Sequence, residues 1–283
     1  MTLTCTAYRL ASHQQVDVVG HGATADLFSR EGQVILGLGA ALRIDLPNGL
    51  ASGEALGSAT AALSDIELLG PGPAPVALGA FGFLPSSPAR FVVPELTYLE
   101  VDGERYVLHV GAAGTAPDLE AALDRLASPE HPIVAGPSRE VDLEPSRPDY
   151  EAAVASALAR IDGDPDRKIV LAREVSLPGR ADPVAILRRL HDLEPSCTLY
   201  AVPAGDERFV GASPELLVRR RGRSFESFPL AGTVALAEGS AAVHRLTLSE
   251  KDRREHGLVV QDLIERLRPL CAELVVPATP SVV

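Results

Sequence analysis

Four strand-forming segments, 197–202, 208–212, 215–221 and 223–228, follow one another with only one to five residues between them. A parallel crossover needs a dozen residues or more, so these strands are joined by hairpins. That excludes a doubly wound parallel sheet for this stretch. The same holds earlier, where Asp102-Gly103 separates Tyr98-Leu-Glu-Val from Arg105-Tyr-Val-Leu-His-Val and gives a strong two-residue turn signal. Short apolar runs at Val34-Ile-Leu-Gly-Leu-Gly, Val76-Ala-Leu-Gly-Ala-Phe-Gly-Phe and Thr97-Tyr-Leu-Glu-Val, bounded by Gly, Pro, Asn or Asp, add further strands.

Helices are expected around these strands. Leu119, Ala122, Leu123 and Leu126 share a face over 117–127. Ser146-Arg-Pro-Asp opens a helix over 148–161, with Tyr150, Val154, Ala157, Leu158 and Ile161 on one side. Asp182-Pro183 reads as an N-cap followed by proline at the first helical position, ahead of Val184, Leu187 and Leu190. Lys168 to Leu177 has high β-propensity and is expected as a strand, and a long helix is expected from Ser249 to Leu270. The fold class is therefore α+β, a β-sheet core with peripheral helices. Residues 128–146 are Pro-rich and polar and read as a connection. We expect one composite domain over 1–283, strand-rich over 1–127 and carrying the informative motifs over 147–283.

At 283 residues the chain can bury a core without disulfides or metal staples. Its net charge of −12 repels phosphate backbones and anionic bilayers, so nucleic acid and membrane surfaces are excluded as leading partners. Cys5, Cys197 and Cys271 are too few and too scattered for a disulfide framework or a structural zinc site, and they point to a reducing compartment. The N-terminus has no basic region followed by a long apolar run, and no stretch of about 18 apolar residues occurs. The expectation is a soluble, cytoplasmic protein.

The long helix carries the sharpest chemical clue. At ~100° per residue, His256, Val259, Leu263 and Leu270 fall within about 40° of Asp252, with Glu255 and Leu267 about 60° to either side. Carboxylates on an apolar face are costly unless paired or bound to a cation. Asp252 and Glu255 thus read either as a cation or substrate site, or as partners of Lys251, Arg253 and Arg254. Lys168 alternates with Val170 and Ala172 along its segment. It is either a partly buried amine able to act as a base or an edge-strand lysine that discourages aggregation. Glu215 follows Gly211-Ala-Ser-Pro at the start of a strand, either a rigidly held acid or an ordinary turn acid. Pro229-Leu-Ala-Gly-Thr233 is a turn that could present N–H groups and a hydroxyl to an anion.

Taken in order, Lys168-Ile-Val-Leu-Ala-Arg, Gly211-Ala-Ser-Pro-Glu215, Pro229-Leu-Ala-Gly-Thr233 and Ser249-Glu-Lys-Asp-Arg-Arg-Glu255-His256 closely resemble the chorismate-binding enzyme family. The likeness is strong over 146–283 and looser before, where Ala89-Arg-Phe-Val-Val-Pro-Glu95 also matches. The resemblance implies an α+β domain with its active site in a cleft. It implies Lys168 as activator of the water that attacks C2 of chorismate, and Glu215 as the acid that protonates the departing C4 hydroxyl. Gly232 and Thr233 are implied to line the substrate, Glu255 to ligate Mg²⁺, and Asp252 to stand as a second acid near the metal.

Ala231 stands where aminodeoxychorismate synthases resemble one another in having a lysine. Lys168 stands where anthranilate synthases carry a non-basic residue, so no amidotransferase subunit is expected. The resemblance implies isochorismate synthase chemistry in a monomer, serving siderophore or menaquinone biosynthesis, with salicylate synthase as the alternative. The family continues past Leu270 with further strands, a substrate-binding arginine and a second metal-binding glutamate. The expectation is therefore a chain incomplete at its C-terminus, either part of an enzyme or a short chorismate-binding protein without turnover.

Overall fold

The computed structural model describes residues 2–51, 54–115, 117–127, 142–162 and 168–282. The connection expected at 128–146 lies outside the described residues as far as 141. In chain order the strands are β1 (Leu3–Arg9), β2 (Asp26–Arg30), β3 (Gln33–Leu38), β4 (Leu42–Leu46), β5 (Glu67–Leu69), β6 (Leu78–Ala80), β7 (Ala89–Val93) and β8 (Leu96–Val101). They continue with β9 (Glu104–Ala112), β10 (Asp142–Glu144), β11 (Glu174–Ser176), β12 (Thr198–Ala204), β13 (Glu207–Ser213), β14 (Leu216–Arg221) and β15 (Ser224–Phe228). The α-helices are α1 (Glu54–Ser64), α2 (Leu119–Ala127), α3 (Arg147–Ile161), α4 (Pro183–Leu193), α5 (Gly239–Leu248) and α6 (Glu250–Leu267). The chain divides into two compact units, Met1–Pro137 with Gly179–Pro214, and Ser138–Pro178 with Glu215–Val283.

The first unit is built on an eight-stranded sheet in the order β13-β12-β2-β3-β8-β9-β1-β5. Its neighbours are antiparallel except β1 and β5. The β8–β9 hairpin turns at Asp102 (φ 52°) and Gly103 (φ 78°), the double positive φ that matches strand twist. Alternation then sorts the side chains. Leu96, Tyr98 and Val107 join Leu27, Leu36 and Ala201 on one face, covered by Ala122 and Leu126 of α2 and Leu187 of α4. Leu99, Leu108 and Val110 join Cys5 and Ile66 on the other, together with Val93 of the small sheet β4-β7-β6. Burial pushes the Cys5 thiol up to about 11.

At one edge of the large sheet Arg208 of β13 meets Asp26 of β2, Nη1 to Oδ1 3.3 Å, with both side chains mostly buried. Nη2 donates to the Ala25 carbonyl, and Nε is buried without a partner among the described residues. Burial raises the Asp26 carboxyl and lowers the Arg208 guanidinium from their ordinary values. Desolvation therefore outweighs the pair's mutual attraction on both sides. Gly211, singled out for close backbone approach, has a packing reason: a Cβ there would sit 2.4 Å from the Tyr200 hydroxyl.

The second unit holds two antiparallel strand pairs, β10–β11 and the hairpin β14–β15, with α3, α5 and α6. Ser146 caps α3 by accepting from Asp149 N, as its sequence implies. The strand expected over Lys168–Leu177 shrinks to Glu174–Ser176, which pairs with Asp142–Glu144. The reason is the absence of a neighbour: no described strand lies alongside 168–173, and β-propensity without a ladder partner makes no strand. Lys168 is accordingly exposed rather than partly buried, and Val170 is 78% exposed. Arg173 instead anchors this segment, its guanidinium 5.8 Å above the Tyr150 ring of α3.

Candidate active site

The N-terminal turn of α6 is set by Ser249, whose Oγ accepts from Asp252 N at 3.2 Å. That cap fixes the phase of the helix. Asp252, Glu255 and His256 are half-buried, in line with Val259 and Leu263 further along, whereas Lys251, Arg253 and Arg254 are exposed. The acid-bearing face read from the sequence is therefore real. Leu270, counted on that face, lies beyond the helix in a 3₁₀ turn (Arg268–Leu270) and is 79% exposed. Lys251 partners Glu255 as one reading held, Nζ to Oε1 3.6 Å.

The 229–233 turn packs against this helix end. Gly232 has φ +81°, and a Cβ there would lie 2.9 Å from Leu246 Cδ1 of α5 and 3.3 Å from Asp252 Cβ. Only a residue without a side chain combines that backbone with that contact. Gly232→Ala should lower unfolding stability by about 1–2 kcal/mol from the left-handed backbone alone, and more if Asp252 must shift. Urea denaturation measures this, and a neutral result would contradict the packing described.

Glu215, exposed at the start of β14, reaches the same turn: its Oε1 accepts from Leu230 N at 3.4 Å. One turn thus touches the acid on one side and Asp252 of α6 on the other. Thr233 is exposed next to it. Lys168 lies in the same unit, but no described contact joins it to this group. The Leu230 N–H belongs to the turn expected to present N–H groups, but nothing local marks Glu215 as its acceptor. Leu246 was invisible as a site-shaping residue, because nothing local marks a methyl that a distant segment will use.

Among the described residues no set of three or more His, Cys, Asp or Glu is arranged to hold a metal. Asp252 and Glu255 are two hard-oxygen donors on one helix face, which fits a cation such as Mg²⁺ that takes one or two carboxylates and completes its shell with water and substrate. The cleft of about 630 Å³ lined by Arg43, Asp45, Arg90 and Arg208 lies in the first unit and contains none of these residues. No helix among the described residues is long and apolar enough to cross a membrane.

Residues 27–283 match the family model described as chorismate binding enzyme. The chain is 37% identical over 146 residues to the isochorismate synthase EntC of Escherichia coli, covering 49% of this chain and 37% of that protein. It is 33% identical over 234 residues to the salicylate biosynthesis isochorismate synthase of Pseudomonas aeruginosa, covering 74% and 49%. The solved structure of MenF, the menaquinone-specific isochorismate synthase of Escherichia coli, superposes with a TM-score of 0.68 at 18% identity, over 94% of this chain and 64% of that one. The α+β class is that of this solved structure, and the chain spans about half the length, or less, of the curated relatives named here.

Proposed function

The chain belongs to the chorismate-binding enzyme family, and from that premise we propose that it carries the chemistry of an isochorismate synthase. The observation that supports this most is the 229–233 turn, which touches both Glu215 and Asp252. An acid and a pair of cation-binding carboxylates are the groups needed at opposite ends of a hydroxyl transposition on a dicarboxylate ring.

In this reading Lys168 acts as general base, taking a proton from water as the water oxygen bonds to C2 of chorismate. Both ring double bonds shift by one position, C1=C2 to C1=C6 and C5=C6 to C4=C5, as the C4–O bond breaks. Glu215 acts as general acid and gives a proton to the leaving oxygen, which departs as water, so one water enters and one leaves. Gly232 and Thr233 line the ring near that hydroxyl. Asp252 and Glu255 would hold Mg²⁺, and what the cation supplies when bound is neutralisation of a substrate carboxylate. Water as nucleophile requires no ammonia-producing partner, so the enzyme acts without an amidotransferase subunit, as a cytoplasmic monomer.

The test is incubation of the purified protein with chorismate and Mg²⁺, with products separated by chromatography and identified by mass. The expected product is isomeric with chorismate. Salicylate with pyruvate would replace this reading by the salicylate synthase one, and no turnover by the folded protein would overturn it for this polypeptide.

A further inference from the structure

We propose that Lys251 is a displaceable counter-ion of the cation site. Its ammonium covers the Glu255 carboxylate while no metal is bound and withdraws when Mg²⁺ arrives. The inference rests on the reading of Asp252 and Glu255 as cation-binding groups.

Residue usage gives the first reason. Of the 26 basic residues only Lys168 and Lys251 are lysines; every other cation in the chain is arginine. One of the two is the candidate base, and the other lies 3.6 Å from a candidate metal ligand.

Helix energetics give the second. Lys251 sits in the first turn of α6, where a cation opposes the helix dipole. Its pairing runs from Lys to Glu four residues on, the weaker of the two orders. The lysine side chain is 79% exposed, a setting in which an ion pair contributes about 0–1 kcal/mol. Stabilisation of the helix does not account for a cation at this position.

Chemistry gives the third. Asp252 and Glu255 are like charges one turn apart, and half-burial of Glu255 makes an uncompensated carboxylate there unfavourable. The other nearby cations are engaged elsewhere or turned outward: Arg253 donates to the Leu248 carbonyl at 3.4 Å, and Arg254 is exposed. Arginine at 251 would fork onto the carboxylate and hold it. A lysine is a point charge on a flexible stem, and at 3.6 Å it balances Glu255 without a tight hydrogen bond. It can leave at little cost.

The full chain and its Lys251→Met and Lys251→Arg variants are titrated with Mg²⁺ alone by calorimetry, up to tens of millimolar. Affinity should rise in the order Arg, Lys, Met, with Lys251→Met about three- to tenfold tighter than the unaltered protein, because a like charge beside the entering cation is gone. Lys251→Met should change the melting temperature little, because the partner lost to Glu255 is offset by a cation removed from a helix N-terminus. Reductive ¹³C-methylation supplies a second readout without turnover. The Lys251 resonance, assigned by its loss in Lys251→Arg, should shift as Mg²⁺ is added. Equal or weaker Mg²⁺ affinity in Lys251→Met overturns the counter-ion role while leaving the cation site standing. Absence of Mg²⁺ binding in all three proteins overturns the site and this inference together.

Discussion

Glu215→Gln should lower the rate of isochorismate formation by about 10²–10⁴-fold while leaving the fold intact. The substitution is chosen for what it preserves. Glu215 accepts the Leu230 N–H through Oε1, and the glutamine carbonyl oxygen can accept the same bond, so the 229–233 turn keeps its tether. What is lost is the transferable proton. A change in kcat/KM therefore reports acid catalysis rather than a displaced loop. Lys168→Ala should have an effect of similar size, and because Lys168 is exposed, its thermal unfolding should be unchanged. If the two groups act on one transition state, the double variant falls well short of the product of the single losses. Retention of activity within tenfold in Glu215→Gln would remove that residue from the mechanism.

Separating Asp26 from Arg208 should cost the first unit about 3 kcal/mol, the scale for stranding one member of a buried pair. Asp26→Ala leaves a guanidinium mostly out of water, with the Ala25 carbonyl as its remaining acceptor and Nε still unsatisfied. Replacing both partners together, Asp26→Leu with Arg208→Met, should return most of that loss, because burial already works against both charges. The pH dependence carries a definite sign. The folded Asp26 carboxyl sits above its unfolded value, so the unfolded chain releases this proton first as pH rises. Its contribution is full below the ordinary carboxylate value of about 4 and declines as pH climbs through the raised folded value. Urea melts of the native protein and Asp26→Asn across that window should show the native protein losing ground with rising pH. A difference that stays constant would mean that burial does not govern this carboxyl.

How far the sequence could be read follows from the range of the interactions involved. The Asp102-Gly103 hairpin, the Ser146 and Asp182 caps, the start of the long helix near Ser249 and its acid-bearing face rest on residues within a turn or two of one another, and each was legible. Helix α1 was not, because Glu54–Ser64 is mostly Ala, Gly, Ser and Thr, with only Leu56 and Leu63 to give apolar contrast around its circumference. The strand expected over Lys168–Leu177 fails for the opposite reason. Its Ile-Val-Leu run has the composition of a strand, but whether it becomes one depends on a partner far away in the chain. Membership of the candidate site was carried by four short motifs. Its assembly, Leu230 N–H on Glu215 and Leu246 against Gly232, depends on segments that composition cannot bring together.

The place of β12 in the large sheet has a consequence for how the protein is made. Tyr200 of β12 lies opposite Phe28 of β2, and the chain between them includes the segment that belongs to the second unit. A ribosome adding 5–20 residues per second takes roughly ten to thirty seconds to cover that interval. During that time β2 exposes a strand edge that nothing yet synthesised can satisfy. The nascent chain must cross this interval with a partly built sheet, so its yield in the cell is governed by what shields that edge before Thr198–Ala204 emerges.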